Sequence, residues 1–144
     1  DALPIYPGQM PGLVPLIERH PDIPVIINHL GMPVLTDADG VGDWRRGMQA
    51  LAALPHVSVK LSGMGFIRRD WSRETIAPFV RETIDLFGVD RCMFASDTPT
   101  DKLFGPIDRY MEAYHAIIAD LAEADRRALF GGNANRLYRL GLDI

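Results

Sequence analysis

The sequence predicts an α/β fold of four βα units carrying a parallel sheet, and three observations lead there. Short apolar runs alternate with longer amphipathic stretches along all 144 residues. The ends of the last three runs, at His29, Ser62 and Ser96, recur roughly every 33 to 35 residues. No linker or low-complexity stretch divides the chain, so residues 1–144 read as a single segment. Strands alternating with helices imply right-handed crossovers and parallel pairing. The recurrence fits one βα unit of an eightfold barrel, whose usual length of about 250 residues needs roughly twice this chain. Two architectures follow: an open four-stranded sheet, or a partial (β/α)8 barrel. The abrupt entry into a strand favours the half-barrel.

Taken in order, Ala2 to Tyr6 is an apolar run, weakened as a strand by Pro4. A helix follows with Leu13, Leu16 and Ile17 on one face. Val25-Ile26-Ile27-Asn28-His29 is a β-branched strand, introduced by Pro24 and closed by Gly31 and Pro33. Asp43 reads as the N-cap of a helix striped by Trp44, Met48, Leu51 and Ala52. Val57 to Ser62 is the third strand, stopped by Gly63. The next helix is placed from near Thr75, with Pro78 in its first turn and Gly88 ending it. Its stripe is Ile76, Val80, Ile84 and Phe87. Cys92 to Ser96 is the fourth strand. A long helix is then striped by Ile107, Tyr110, Met111, Tyr114, Ile117, Ile118 and Leu121, and two short helices begin at Asp125 and Asn133.

Composition narrows the function classes. The formal net charge is −4, and the pairs Arg45-Arg46, Arg68-Arg69 and Arg126-Arg127 are scattered, so no nucleic-acid partner is expected. No apolar stretch reaches the roughly 20 residues that span a bilayer, and no basic-then-apolar leader opens the chain. A cytoplasmic protein with no membrane partner is therefore expected. The single cysteine, Cys92, cannot form an internal disulfide and lies in an apolar run, which reads as a buried thiol. The bare edges of a half-barrel are association-prone, so a homo-oligomer is one expectation.

Function in parallel α/β proteins gathers at the C-terminal ends of strands. Three strands here end in polar groups: Asn28-His29, Lys60-Leu61-Ser62 and Ser96-Asp97. Alternation groups Val25 with Ile27 and His29, Ser58 with Lys60 and Ser62, and Met93 with Ala95 and Asp97. With the apolar faces packed outward on helices, His29, Lys60 and Asp97 look into one mouth. A lysine there needs a carboxylate or water, and Asp97 is the expected partner. Among the histidines, His20 and His115 read as surface or packing residues and His56 lies at the opposite end of its strand. Only His29 ends a strand.

Four segments then stand in order: Ile27-Asn28-His29-Leu30-Gly31-Met32-Pro33, Val59-Lys60-Leu61-Ser62-Gly63, the stretch from Phe87 to Pro99, and Asn133-Ala134-Asn135-Arg136-Leu137-Tyr138. Together they resemble the amidohydrolase-related family of TIM-barrel hydrolases, which includes sugar lactonases and pyrone-dicarboxylate lactonase. The resemblance covers the last four βα units, which makes this the C-terminal half of such a barrel. It implies hydrolysis of a small lactone or related cyclic ester or amide. Asp97 would be the general base on water, or a metal ligand. His29 would polarise the carbonyl, or contact the metal. Asn28, Lys60, Ser62, Arg68 and Arg69 would bind substrate, the arginines by a bidentate fork on carboxylate. Trp44 and Tyr6 would wall the pocket unless they are core residues. The implied cofactor is a divalent metal, zinc before others, with a metal-independent mechanism as the alternative.

Two departures stand out. Family members commonly carry Trp after the strand-end aspartate, where this chain has Thr98, which would open that side of the pocket. The family's His-x-His pair of the first strand is absent from these 144 residues. Two other readings stay open: a decarboxylase of the same superfamily, and a non-catalytic half-barrel that acts only in an assembly.

Overall fold

The computed structural model describes residues 2–3, 5–35 and 39–144. Its sheet is four-stranded and parallel throughout, with β1 (Ala2–Leu3), β2 (Val25–Ile27), β3 (Val57–Leu61) and β4 (Cys92–Phe94) side by side in chain order. Pro4, within the expected first strand, lies outside the described residues. Helix α1 (Met10–Glu18) connects β1 to β2, and α2 (Gly40–Ala52) connects β2 to β3. Between β3 and β4 run the short α3 (Met64–Ile67) and α4 (Arg73–Phe87). After β4 come α5 (Ile107–Ile117), α6 (Glu123–Arg127) and α7 (Asn133–Tyr138). Neighbouring strands in sequence are neighbours in space, which is the winding of a barrel rather than of a doubly wound sheet.

The strand pattern decides where the core sits. Val25, Ile27, Val57, Val59, Leu61, Cys92 and Phe94 join Trp44, Met48, Leu51, Ile76 and Tyr110 in one cluster beneath the helices. The opposite row is set by register: Ile26 pairs with Ser58, and Lys60 pairs with Met93. Trp44, Met48 and Leu51, at helical spacing, are fully buried, each contributing about 1.5–3 kcal/mol of transfer free energy. The Cys92 thiol lies among them, and burial pushes its pKa up to about 12. Among the described residues no helix is long and apolar enough to cross a membrane.

Helix starts differ from the sequence reading at three places. Helix α2 begins at Gly40 with Asp39 at its cap, so Asp43 sits inside the first turn, where a carboxylate still suits the helix dipole. Ser72 rather than Thr75 caps α4. The Ser72 N–H donates to Thr75 Oγ1 at 2.8 Å while the Thr75 N–H donates to Ser72 Oγ at 3.4 Å, a reciprocal capping box. Pro78 therefore lies beyond the first turn, on the exposed side. Helix α6 starts at Glu123, leaving Asp125 inside it.

The strand N-terminal end is closed by polar side chains from the third and fourth sequence segments. Arg91 donates to the carbonyls of Phe87 (2.8 Å), Leu54 (2.9 Å), Val57 (3.3 Å) and Ala52 (2.9 Å). One guanidinium thus gathers the carbonyl ends of α2 and α4, where cations are favoured. Asn133, buried at the start of α7, donates through Nδ2 to the carbonyls of Val89 and Cys92, both at 2.8 Å. Arg136 reaches the Asp90 carbonyl. The Asn133–Tyr138 segment is therefore a structural latch on β4.

Candidate active site

At the other end of the strands, the chain leaves β2 after Ile27 and turns through residues of positive φ: His29 (53°), Leu30 (52°) and Met32 (50°). Non-glycine residues rarely occupy this region, and such strain is found where surrounding structure holds it. Here the hold is visible. Leu30 is buried in the core, and Trp44 Nε1 donates to its carbonyl at 2.6 Å. Trp44 is accordingly a core residue and not a pocket wall.

This turn also corrects the alternation argument. Val25 and Ile27 face the helices, so a continuing strand would send His29 the same way. The left-handed turn carries the imidazole back over the strand ends instead. Its Nδ1 lies 2.9 Å from Ser62 Oγ and its Nε2 lies 3.9 Å from Asp97 Oδ1. The fully buried Ser62 directly follows β3, and Asp97 follows β4. Three of the expected site residues, from three strands, therefore converge.

Two tautomers satisfy this geometry. If the serine hydroxyl donates to Nδ1, the Nε2–H points toward the carboxylate. If Nδ1–H donates to serine, Nε2 presents a lone pair. Serine serves either, so Ser62 fixes the ring while leaving its proton movable. Burial lowers the His29 pKa below the ordinary histidine value; Asp97 and Asp101 oppose that shift and Lys60 adds to it. The lowering favours the neutral imidazole.

Gly63 completes the cradle. Its φ is 70°, and a Cβ there would lie 2.8 Å from His29 Cγ and Nδ1. Gly63→Ala is expected to destabilise the fold by about 1–2 kcal/mol through the left-handed backbone alone. It should also displace His29, lowering turnover by more than the stability change explains. Urea unfolding beside kcat measures both.

Sequence reasoning missed two residues here. Asp101, in the turn Thr100–Leu103, is buried and its Oδ2 accepts the Asp97 N–H at 2.6 Å. Burial raises the Asp101 pKa, and the neighbouring Asp97 charge adds to the rise. The spacing of four residues from Asp97 was its only sequence signal. Phe66, in α3, has its ring 6.2 Å from that of His29 and 5.7 Å from Phe104, and is exposed despite its size. It gives the mouth an aromatic flank. A single Phe in a short helix carries no such message in sequence.

The remaining expected residues divide. Asn28 stands beside His29, and its Oδ1 is buried with no hydrogen-bond partner among the described residues. Lys60 does not pair with Asp97: register sets it beside Met93, and its ammonium lies over the Tyr138 ring, 5.4 Å from the centroid. An aromatic face from α7 takes the place of the expected carboxylate. Arg68 is forked onto Asp70 at 2.7 and 3.2 Å, an exposed pair, and Arg69 is exposed beside it. Tyr6 is exposed as well. A groove of about 430 Å³ between α1 and α2, lined by Pro11, Val14 and Gly47 among others, shares no residue with the strand-end cluster.

Residues 2–140 match the amidohydrolase family. The chain belongs to that family. It is 41% identical over 138 residues to an uncharacterised protein of Sinorhizobium fredii, covering 96% of this chain and 46% of that protein. It is 32% identical over 154 residues to the L-fucono-1,5-lactonase of Burkholderia multivorans, covering 94% of this chain and 50% of the lactonase. A crystal structure of an amidohydrolase from Burkholderia multivorans with bound zinc superposes with a TM-score of 0.88 at 32% identity. That match covers 96% of this chain and 51% of the other. The amidohydrolase chain spans about half the length of the curated relatives it matches. Its four parallel βα units are those of a partial (β/α)8 barrel.

The strand-end residues of this amidohydrolase suit a divalent ion in kind. An imidazole nitrogen faces a carboxylate, and the other ring nitrogen is held by a hydroxyl, as histidine ligands generally are. Among the described residues no group of three or more His, Cys, Asp or Glu is placed to hold a metal. Two ligands, His29 and Asp97, are what this chain would contribute.

Proposed function

We propose that these residues form the C-terminal part of the active site of a lactone hydrolase. The observation that carries the reading is His29 Nε2 facing Asp97 across the ends of β2 and β4, with Ser62 steadying the ring from behind. The lactonase name borne by a relative at 32% identity supports the substrate class.

Asp97 takes a proton from water as the water oxygen adds to the lactone carbonyl carbon. His29 donates from Nε2–H to the carbonyl oxygen as negative charge gathers there, while Ser62 donates to Nδ1. The ring C–O bond then breaks, and the proton on Asp97 passes to the leaving alkoxide. The products are one alcohol and one carboxylic acid on an opened chain, and the acid gives its proton, the second from water, to solvent to become a carboxylate. Asn28 Oδ1 accepts from a substrate hydroxyl, and Arg69 with Arg68, released from Asp70, meets the carboxylate formed as the ring opens. A divalent ion, when bound to His29 and Asp97, supplies acidification of water and polarisation of the carbonyl.

The test is proton release from L-fucono-1,5-lactone by the intact protein, read with a pH indicator. Hydrolysis well above the spontaneous rate is expected. Chelator treatment followed by zinc shows whether the ion is needed. A background rate with zinc-loaded protein, together with CO₂ release from a hydroxybenzoate, would replace this reading with a decarboxylase.

A further inference from the structure

Asp97 sits on a loop, outside any strand, so something must hold its carboxylate toward His29. The fastening is a two-way clasp with Asp101. The Asp97 N–H donates to Asp101 Oδ2 at 2.6 Å, and the Asp101 N–H donates to the Asp97 carbonyl at 3.0 Å. Asp101 is in turn tied to the core. Tyr110 Oη on α5 donates to the Asp101 carbonyl at 3.2 Å, and Trp71 Nε1 donates to Tyr110 Oη at 3.1 Å. Tyr110 and Trp71 are both buried, with ring centroids 4.3 Å apart.

The carboxylate itself is a costly choice for a mere turn. Asp101 is 2% exposed, and its Oδ1 has no hydrogen-bond partner among the described residues. A buried acid with one oxygen unpaired costs stability whatever its other oxygen does. What that oxygen does is grip the backbone of the residue facing His29.

We propose that Asp101 is the positioning residue for Asp97, carrying the rigidity of the Trp71–Tyr110 core into the loop that presents the reactive carboxylate. Asp101 does not touch substrate; it acts through the Asp97 backbone. This rests on the reading of Asp97 as base or ligand.

The test compares Asp101→Ala, which removes the acceptor, with Asp101→Asn, whose amide oxygen can still accept the Asp97 N–H. Both are made in the intact protein and assayed on L-fucono-1,5-lactone, with the Asp97 amide proton followed by NMR. Asp101→Ala is expected to lower kcat about 100-fold with KM little changed, as misplacement of a reacting group by about an ångström does. Its Asp97 amide should move upfield and exchange faster. Asp101→Asn should keep kcat within a few-fold and keep the amide protected. Equal loss of kcat in both variants, a change in KM alone, or an undisturbed Asp97 amide in Asp101→Ala would each overturn the proposal. Should Asp101→Ala fail to fold, Asp101→Asn decides: a lost amide bond with full kcat sinks it, and a protected amide with kcat retained supports it. If the wild type hydrolyses no lactone, the lactonase reading fails by itself, and the amide measurement still decides whether Asp101 holds Asp97.

Discussion

Asp97→Asn is expected to lower kcat for lactone hydrolysis by about 10²- to 10⁴-fold while the protein stays folded. The amide matches the carboxylate in shape but accepts no proton near neutral pH. The fold should tolerate it, because what Asp101 grips at Asp97 is the backbone N–H and not the side chain. Zinc content measured on the same variant separates two versions of the role. A metal stoichiometry unchanged from wild type marks Asp97 as base; a stoichiometry that falls with activity marks it as ligand. Near-normal turnover would remove Asp97 from the chemistry altogether.

The largest effect on stability is expected at the other end of the strands. Arg91→Met is expected to destabilise by about 2–4 kcal/mol, because it deprives four carbonyls of a charged donor at once. Those carbonyls end α2 and α4 and begin β3, so the loss falls on the seam between two βα units. Arg91→Lys should recover little, since an ammonium cannot fork to carbonyls on three elements. Equilibrium urea unfolding measures the difference. A loss under about 1 kcal/mol would show that water replaces the guanidinium without penalty.

The fold was legible because the last three strands are β-branched or apolar runs with a firm stop and the α4 stripe is buried throughout; in α1 only Ile17 of the expected stripe is buried, and Leu16 is 47% exposed. Gly88 ends α4 as its position implies, and Trp44, Met48 and Leu51 face the core. Helix starts were less legible. A capping box can be read from either of its partners, and the sequence places the start near Thr75 where the structure puts Ser72 at the cap.

The site was half legible. Strand ends pointed to His29, Ser62 and Asp97, and those do meet. The reason His29 meets them was not in the pattern: alternation is a rule for strands, and His29 lies in a left-handed turn fixed by Trp44 from another unit. Lys60 failed for the converse reason. It obeys alternation, but register stops it four residues short of Asp97, at Met93. Asp101 was hidden because a buried carboxylate in a polar loop looks like any surface acid until its neighbours in space are known. The Asn133–Tyr138 segment helps to place the chain in its family, yet in the structure its Asn133 latches β4 far along the chain from the chemistry.

The measurement that bears most directly on the His29–Asp97 pair is a double-mutant cycle in kcat/KM for L-fucono-1,5-lactone. It uses His29→Gln, Asp97→Asn and the two together in the intact protein. Groups that act as one unit are strongly non-additive. The double variant is therefore expected to be no slower than the worse single variant, within a few-fold. Losses that multiply, each variant acting as though the other residue were absent, would contradict a shared site.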